Sequence, residues 1–462
     1  MTSTIDHTNL HRTAKYFMDS GRAETHDDAI SMLRRFGLTI HAGPNVMRSR
    51  DHQTALLTLV NVARRTLLAG IEVVGLQDGP SLSPLAPTGS LADAVRDLGA
   101  TVVSDASQDW PNALIGDVEL SAPKFPVWRL TWEGWRGGVV PAGRVAPLSE
   151  ARAIAIAPVL AAAAAAAEVF AYHAEDHPMA GRRAAGISLW KPDADWLSPD
   201  DTEPPLAFLP SRLWVIGLGN LGQALAWVVA SLPFGDRSKV ELLLQDFDRV
   251  APSNDSTSLL SFGRDVGRRK SRMVADWLEA RGFVTILSER YFGSWTRRGP
   301  DEPAVAFCGV DNALARAALE KPGFDLVVEA GLGAGPQSFR NFSVHTFPAT
   351  RSAEELWLKQ VGTSDPNVEA MPAYQALRNN LDECGIAQLA SRTVGVPFVG
   401  LVATLLALAE LLRRLHGGAA FELVAGSALT LDTTEAVTMT AKPYTGGHVP
   451  VVAACSLRIS HA

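Results

Sequence analysis

Apolar and polar positions alternate so as to divide the chain into two successive runs of strands and helices. Residues 9–35 carry apolar positions at helical spacing, with Asp28 and Ala29 opening a second amphipathic turn towards Leu33. An apolar strand over 38–41 follows and runs into Gly43, Pro44 and Asn45; a helix over 56–68 then leads to a strand ending at Gln77 and Asp78. The run GIEVVGLQD over 70–78 returns as KVELLLQD over 239–246, the same phrase in a second place.

The parallel extends along both halves. Residues 92–103, a helix followed by a strand, match 275–287; ALIGD over 113–117 matches FCGVD over 307–311; LTWEGWRGG over 130–138 matches VEAGLGAG over 328–335. An alanine-rich helix containing Pro158 matches a later one that opens at Pro397. A duplication of this length outranks any local assignment. Its strand–helix alternation predicts an α/β chain of two Rossmann-like folds, each a parallel sheet with helices on both faces. The expected division is 1–173 for the first copy with its helical start, 174–210 for a proline-rich linker, and 211–462 for the second copy.

The second copy holds the candidate chemistry. A strand over 213–216 enters Gly217, Gly219, Asn220 and Gly222, a G-x-G-x-x-G turn that lets helix N–H groups approach a phosphate. The next strand ends at Asp246, where a carboxylate can take ribose hydroxyls. Taken alone, this fingerprint fits an NAD(P) Rossmann domain equally well. Further on stand Asp248, Ser253 and Asn254, then Val266, Gly267 and Lys270, then Asp311, Asn312 and Arg316. The first copy has Gly43, Pro44 and Asn45 in place of the glycine turn, and proline removes an N–H that a phosphate would need. It is the degenerate copy.

This series resembles the adenylating domain of the ThiF/MoeB/HesA and ubiquitin-activating family, whose pattern runs G-x-G-x-x-G, D-x-D, S-N, V-G-x-x-K, D-N-x-x-x-R. The match covers 213–415. The resemblance implies an ATP-dependent activating enzyme with ThiF-type adenylation folds. Asp246 would bind ribose, Lys270 the ATP phosphates and Asp311 Mg²⁺, with Asp248, Asn254 and Asn312 completing the nucleotide site. Thr257 stands where the pattern carries a phosphate-binding arginine. In the family, an arginine from the N-terminal helix of the partner half reaches the phosphates; Arg12 holds a similar place. A crossover loop, at about 348–384 here, passes over the nucleotide and often bears the acceptor cysteine, which falls on Cys384.

The implied reaction is adenylation of the C-terminal carboxylate of a ubiquitin-like protein, thioester formation on Cys384 and transfer to a conjugating enzyme. An inactive copy beside an active one resembles ubiquitin-type activating enzymes, in particular those of bacterial ubiquitin-like conjugation operons linked to phage defence. A sulfur-carrier or peptide adenylyltransferase of the ThiF/MoeB kind and a non-catalytic scaffold are the alternatives. No hydride-transfer site accompanies the glycine turn.

Composition narrows the classes. With 47% hydrophobic and 20% charged residues the chain is ordinary globular protein. A net charge of −7 and the lack of a long basic run give no sign of a nucleic-acid partner. The one basic cluster, Arg268, Arg269, Lys270 and Arg272, is expected to neutralise a triphosphate. Three cysteines with no C-x-x-C pair fit a reducing cytoplasm and no structural zinc site. Cys308 and Cys455 lie in apolar runs and read as small buried hydrophobes; Cys384 follows two carboxylates at a loop-to-helix junction, where helix N–H groups favour thiolate. The alanine-rich run over 151–172 contains Arg152, Pro158 and Glu168 and reads as a buried helix, with no membrane partner expected. The oligomeric state stays open, a homo-oligomer included.

Overall fold

The computed structural model describes residues 5–360, 368–378 and 381–452. The first half runs α1 (Ala14–Asp19), α2 (His26–Leu33), β1 (Gly37–Ala42), α3 (Arg50–Ala63), β2 (Gly70–Val74), α4 (Leu91–Asp97), β3 (Thr101–Val103), β4 (Asn112–Ile115), β5 (Val127–Glu133), β6 (Arg136–Pro141), α5 (Ala157–His173) and β7 (Ala185–Ser188). A short β8 (Phe208–Pro210) leads into β9 (Arg212–Ile216), α6 (Asn220–Ser231), β10 (Glu241–Gln245), α7 (Lys270–Glu279), β11 (Val284–Ser288), β12 (Val305–Cys308), α8 (Ala313–Ala317) and β13 (Leu326–Leu332). The chain continues through α9 (Gly335–Ser338), β14 (Asn341–Phe347), α10 (Ala353–Trp357), α11 (Pro372–Leu377), α12 (Glu383–Ala390), α13 (Pro397–Leu415), β15 (Ala420–Ser427), β16 (Thr430–Met439) and β17 (His448–Pro450).

The two sheets have one topology. The first is ordered β3-β2-β1-β4-β5-β6-β7 and the second β11-β10-β9-β12-β13-β14-β15-β16. In each, five strands run parallel and the following ones antiparallel. Parallel strands covered on both faces need apolar residues on both sides, and β1 and β9 are buried almost throughout. The α/β class with two Rossmann-type folds is therefore the observed architecture.

The sequence pattern and the structure differ in three places, the first being β2, which ends at Val74 rather than at Gln77 and Asp78. Helix α3 starts at Arg50, capped by Ser49, whose hydroxyl accepts from the His52 N–H at 3.3 Å, and it ends at Ala63. Its first turns bury His52, Gln53 and Thr54, which apolar periodicity cannot register. Within 174–210, residues 185–188 form β7 and pair antiparallel with β6, so this stretch completes the first sheet as well as connecting the halves.

Helices α5 and α13 occupy equivalent places in the two halves. They pack on each other, α5 also on α3 and α13 also on α6, so these four helices join the halves through one continuous core. Seven consecutive alanines, Ala161 to Ala167, let backbones approach closely there, and all are buried. Among the described residues no helix is long and apolar enough to cross a membrane.

Packing this close leaves no room for added methylenes. Ala163→Leu should destabilise the chain by about 1–3 kcal/mol, the usual cost of overpacking a tight core. The denaturant midpoint reads this directly, and an unchanged midpoint would mean that α5 is loosely surrounded.

Candidate nucleotide site

The site forms at the carboxyl ends of β9, β10 and β12. Gly217 leaves β9 with φ +86, which a side chain would strain. At Gly222 a Cβ would lie 1.9 Å from the Gly217 carbonyl oxygen, so any larger residue would push α6 off the strand. Gly219 caps α6 without a side chain, and a Cβ there would meet nothing within 4 Å. The helix start thus faces open space with its first-turn N–H groups.

Asp246 holds the turn from below. Its Oδ2 accepts from the Leu218 N–H at 2.7 Å and its Oδ1 from the Asp248 N–H at 2.7 Å. Burial pushes its pKa up, while Lys270 and the two N–H groups pull it down. Each oxygen retains a further lone pair for a ligand hydroxyl. Lys270 opens α7; its Nζ lies 2.9 Å from Asp248 Oδ2, and its side chain is only 10% exposed.

The rest of the basic cluster does not join Lys270. Arg268 pairs with Asp265 and Asp276, Arg272 with Glu289, and Arg269 donates to the Phe247 carbonyl. These arginines line an open groove of about 750 Å³ beside β11. Carboxylates engage Arg268, Lys270 and Arg272, and a carbonyl engages Arg269, so all four members of the cluster have partners within the chain.

Asp311 and Asn312 follow β12 and are exposed, and the Asn312 Oδ1 accepts from the Ala315 N–H at 3.0 Å to cap α8. Asn254 uses its Oδ1 to accept from the Ala251 N–H at 2.8 Å, shaping the turn that bears Ser253. Thr257 is buried. Arg12 arrives beside it: a Cβ on Gly395 would lie 2.9 Å from Thr257 Cγ2 and 3.5 Å from Arg12 Cβ. The Arg12 N–H donates to Ser256 Oγ at 3.1 Å, and its guanidinium donates to the Thr393 carbonyl and hydroxyl at 2.7 and 2.8 Å. Burial and the charge of Arg392 lower its pKa to about 10, against the pull of nearby Asp311. The structure therefore brings Arg12 to the segment where the motif lacks its arginine.

Cys384 is exposed in the first turn of α12, where Asp382 caps the helix by accepting the Gly385 N–H at 2.8 Å. Cys308 is buried in β12, its thiol pushed up to about 12 by burial and the Glu329 charge. Cys455 lies outside the described residues. Arg316 pairs with buried Glu329 and stacks on Trp357, with His345 3.1 Å from the same carboxylate; it braces α8 against the sheet.

The first copy is closed at the equivalent place. Asn45 Oδ1 accepts from the Asp117 N–H at 2.8 Å, and a Cβ on Gly43 would collide with the Asp117 backbone at 2.6 Å. Asp78, the counterpart of Asp246, is exposed.

Several residues at the second site escaped sequence reasoning. Gln223 donates to the Leu218 carbonyl at 3.0 Å and to Ser261 Oγ at 3.0 Å, and accepts from the Leu260 N–H at 2.9 Å. Phe247 and Tyr291 pack ring on ring at the end of β10, with Tyr291 exposed. The only signal was position: Gln223 follows the last glycine of the turn, and Phe247 separates the two aspartates.

The chain therefore holds two Rossmann-type folds, one with an open glycine turn and one in which Asn45 bonds the Asp117 N–H at the equivalent turn. The BilD N-terminal domain family matches residues 37–189 and the BilD C-terminal domain family residues 209–418. The bacterial E1-like protein BilD of Collimonas sp. (strain OK412) is 59% identical over 449 residues, 97% of each chain. The chain belongs to the BilD family. Among solved structures, MccB of E. coli with succinimide gives a TM-score of 0.35 and 11% identity over 50% of this chain and 65% of that one. MccB with ATP gives 0.33 and 11% over the same shares.

One open cradle and one plugged site imply one nucleotide per chain. Equilibrium titration with ATP should saturate at a single site; two sites of comparable affinity would contradict the closure at Asn45 and Asp117.

Proposed function

We propose that the chain activates the C-terminal carboxylate of a ubiquitin-like protein by adenylation, captures it as a thioester on Cys384 and passes it to a conjugating enzyme. The observation that carries this reading is the convergence of the glycine turn, Asp246, Lys270, Asp311 and Arg12 on one set of strand ends. Membership of the BilD family, with a relative named as E1-like, supports it.

The substrate carboxylate oxygen attacks the α-phosphorus of ATP; the bond to the β-phosphate breaks and pyrophosphate leaves. Both reactants are anionic, so catalysis is largely charge control. The N–H groups at the start of α6 and the Lys270 ammonium stabilise the phosphate oxygens, and Arg12 adds a guanidinium beside them. Asp246 takes the ribose hydroxyls. Mg²⁺, when bound, would be held by Asp311 and the ATP phosphates and would neutralise charge on the leaving pyrophosphate. Asp311 fits this: its carboxylate is exposed just past β12, and Mg²⁺ needs only one or two carboxylates beside phosphates. The Cys384 thiolate then attacks the acyl carbon and AMP departs. Splitting the transfer this way replaces one difficult step by two easier ones.

Lys270→Ala should lower ATP–pyrophosphate exchange by roughly 10²–10³-fold, the scale for losing one preorganised charge-stabilising donor, and Asp311→Ala should do likewise. Exchange near the wild-type rate in both variants would remove the site assignment.

The two half-reactions separate at the cysteine. Cys384→Ala should leave exchange nearly intact while abolishing any reducing-agent-sensitive adduct with the ubiquitin-like protein, and Cys308→Ala should leave both. An adduct that survives without Cys384 would place the acceptor elsewhere.

A further inference from the structure

Helix α3 belongs to the degenerate copy, yet its carboxyl end reaches the nucleotide segment of the other. Arg65, two residues past α3, is buried. Its Nε–H donates to the Asn61 carbonyl at 3.1 Å and its Nη2 to Asn61 Oδ1 at 3.1 Å, which fixes the guanidinium on its own helix. Its other N–H groups cross the boundary, Nη1 to the Asp255 carbonyl and to the Ser261 carbonyl at 3.1 Å, Nη2 to the Leu259 carbonyl at 2.8 Å. A guanidinium has five N–H donors, and these five bonds engage the full set.

Two neighbours close the same segment. Arg64 Nη2 lies 2.7 Å from Asp255 Oδ1, and Asn61 Nδ2 donates to the Leu259 carbonyl at 3.1 Å. From the other side, Ser261 and Leu260 are bonded to Gln223, which donates to the Leu218 carbonyl within the glycine turn. A continuous polar chain thus runs from Arg65 through Ser261 and Gln223 to the phosphate cradle. Ser256, which receives the Arg12 N–H, sits next to the Asp255 carbonyl that Arg65 holds.

We infer that Arg65 is a positioning residue for nucleotide binding, by which the degenerate copy sets the shape of 255–261 and, through Gln223, of the glycine turn. The inference rests on the adenylation reading for the use made of the nucleotide. It adds to that reading a direct part for the copy that binds none. Without the fork, the Asp255 and Ser261 carbonyls lose these donors, Leu259 is left with that of Asn61 alone, and the segment shifts as they turn towards others. Lysine cannot replace it, since an ammonium directs its donors from one point.

The test uses the full chain and Arg65→Lys, with ATP affinity read by equilibrium titration and KM by pyrophosphate exchange. Both should weaken roughly 10- to 100-fold, the scale for buried hydrogen bonds to a charged group, with kcat falling less than KM rises. Arg50→Ala is the control. Arg50 donates to the Ser231 carbonyl at 2.7 Å across the same boundary, but at the opposite end of α6 from the glycine turn. A lower melting temperature for Arg65→Lys with unchanged ATP affinity would overturn the inference, as would equal weakening in Arg50→Ala. If Arg65→Lys does not fold, Gln223→Met decides: weakened ATP binding supports the relay and unchanged binding overturns it. A wild-type chain that binds ATP without catalysing exchange would fail the adenylation reading, while the titrations would still judge Arg65.

Discussion

The buried carboxylate of Asp246 fixes the geometry on which the nucleotide cradle depends. Both of its oxygens accept backbone N–H groups, one from the glycine turn and one from the residue that pairs with Lys270. Burial raises its pKa, against the opposing pull of Lys270 and of those two N–H donors. Removing the carboxylate would leave two N–H groups to find other partners, at about 1–3 kcal/mol for each that stays buried and unpaired. The shape of the turn, the placing of Asp248 and the direction of the Lys270 ammonium are therefore one arrangement.

The duplicated fold shows what that arrangement requires. Both copies share strand order and the same two large helices, so the sheet alone does not make a nucleotide site. In the first copy Asn45 and the Asp117 backbone fill the space that stays open at Gly219 in the second. What the first copy retains is its helical wall. Helices α3 and α5 pack against the second half, and Trp227 of α6 donates its indole N–H to Thr58 Oγ1 at 3.1 Å. The first copy is thus constrained by the surface it presents to its twin.

The sequence made the duplication and both sheets legible because strand patterning survives in each copy even where chemistry has been lost. The glycine turn and Asp246 could be placed because a Rossmann strand must end at its ligand. The double backbone role of Asp246 could not be read, since it depends on the conformation of the turn. Arg65 left no trace either: its acceptors lie some 190 positions away and are carbonyls, which carry no side-chain signature. Arg12 was reached by resemblance alone, and its neighbours Ser256 and Thr393 are likewise remote in sequence. The polar start of α3 was missed for a related reason. Gln53 accepts the Leu82 N–H and Thr54 bonds Ser83, so polar residues are buried where periodicity expects exposure.

Helix α1 is bonded to two segments remote from it in sequence. Just before it, Arg12 is bonded to Ser256, within the 255–261 segment, and to Thr393, ahead of α13. Within it, buried Lys15 lies 2.7 Å from Asp19 and donates to the Tyr374 hydroxyl at 2.6 Å, while that hydroxyl donates to Asp19. Tyr374 belongs to α11, in the stretch that leads to Cys384. Moving α11 away from α1 leaves the Lys15–Asp19 ion pair intact but breaks its two hydrogen bonds to the Tyr374 hydroxyl, in addition to the lost packing of one aromatic ring. Helix α1 thus links the 255–261 segment, through Arg12, to α11, through Lys15 and Asp19.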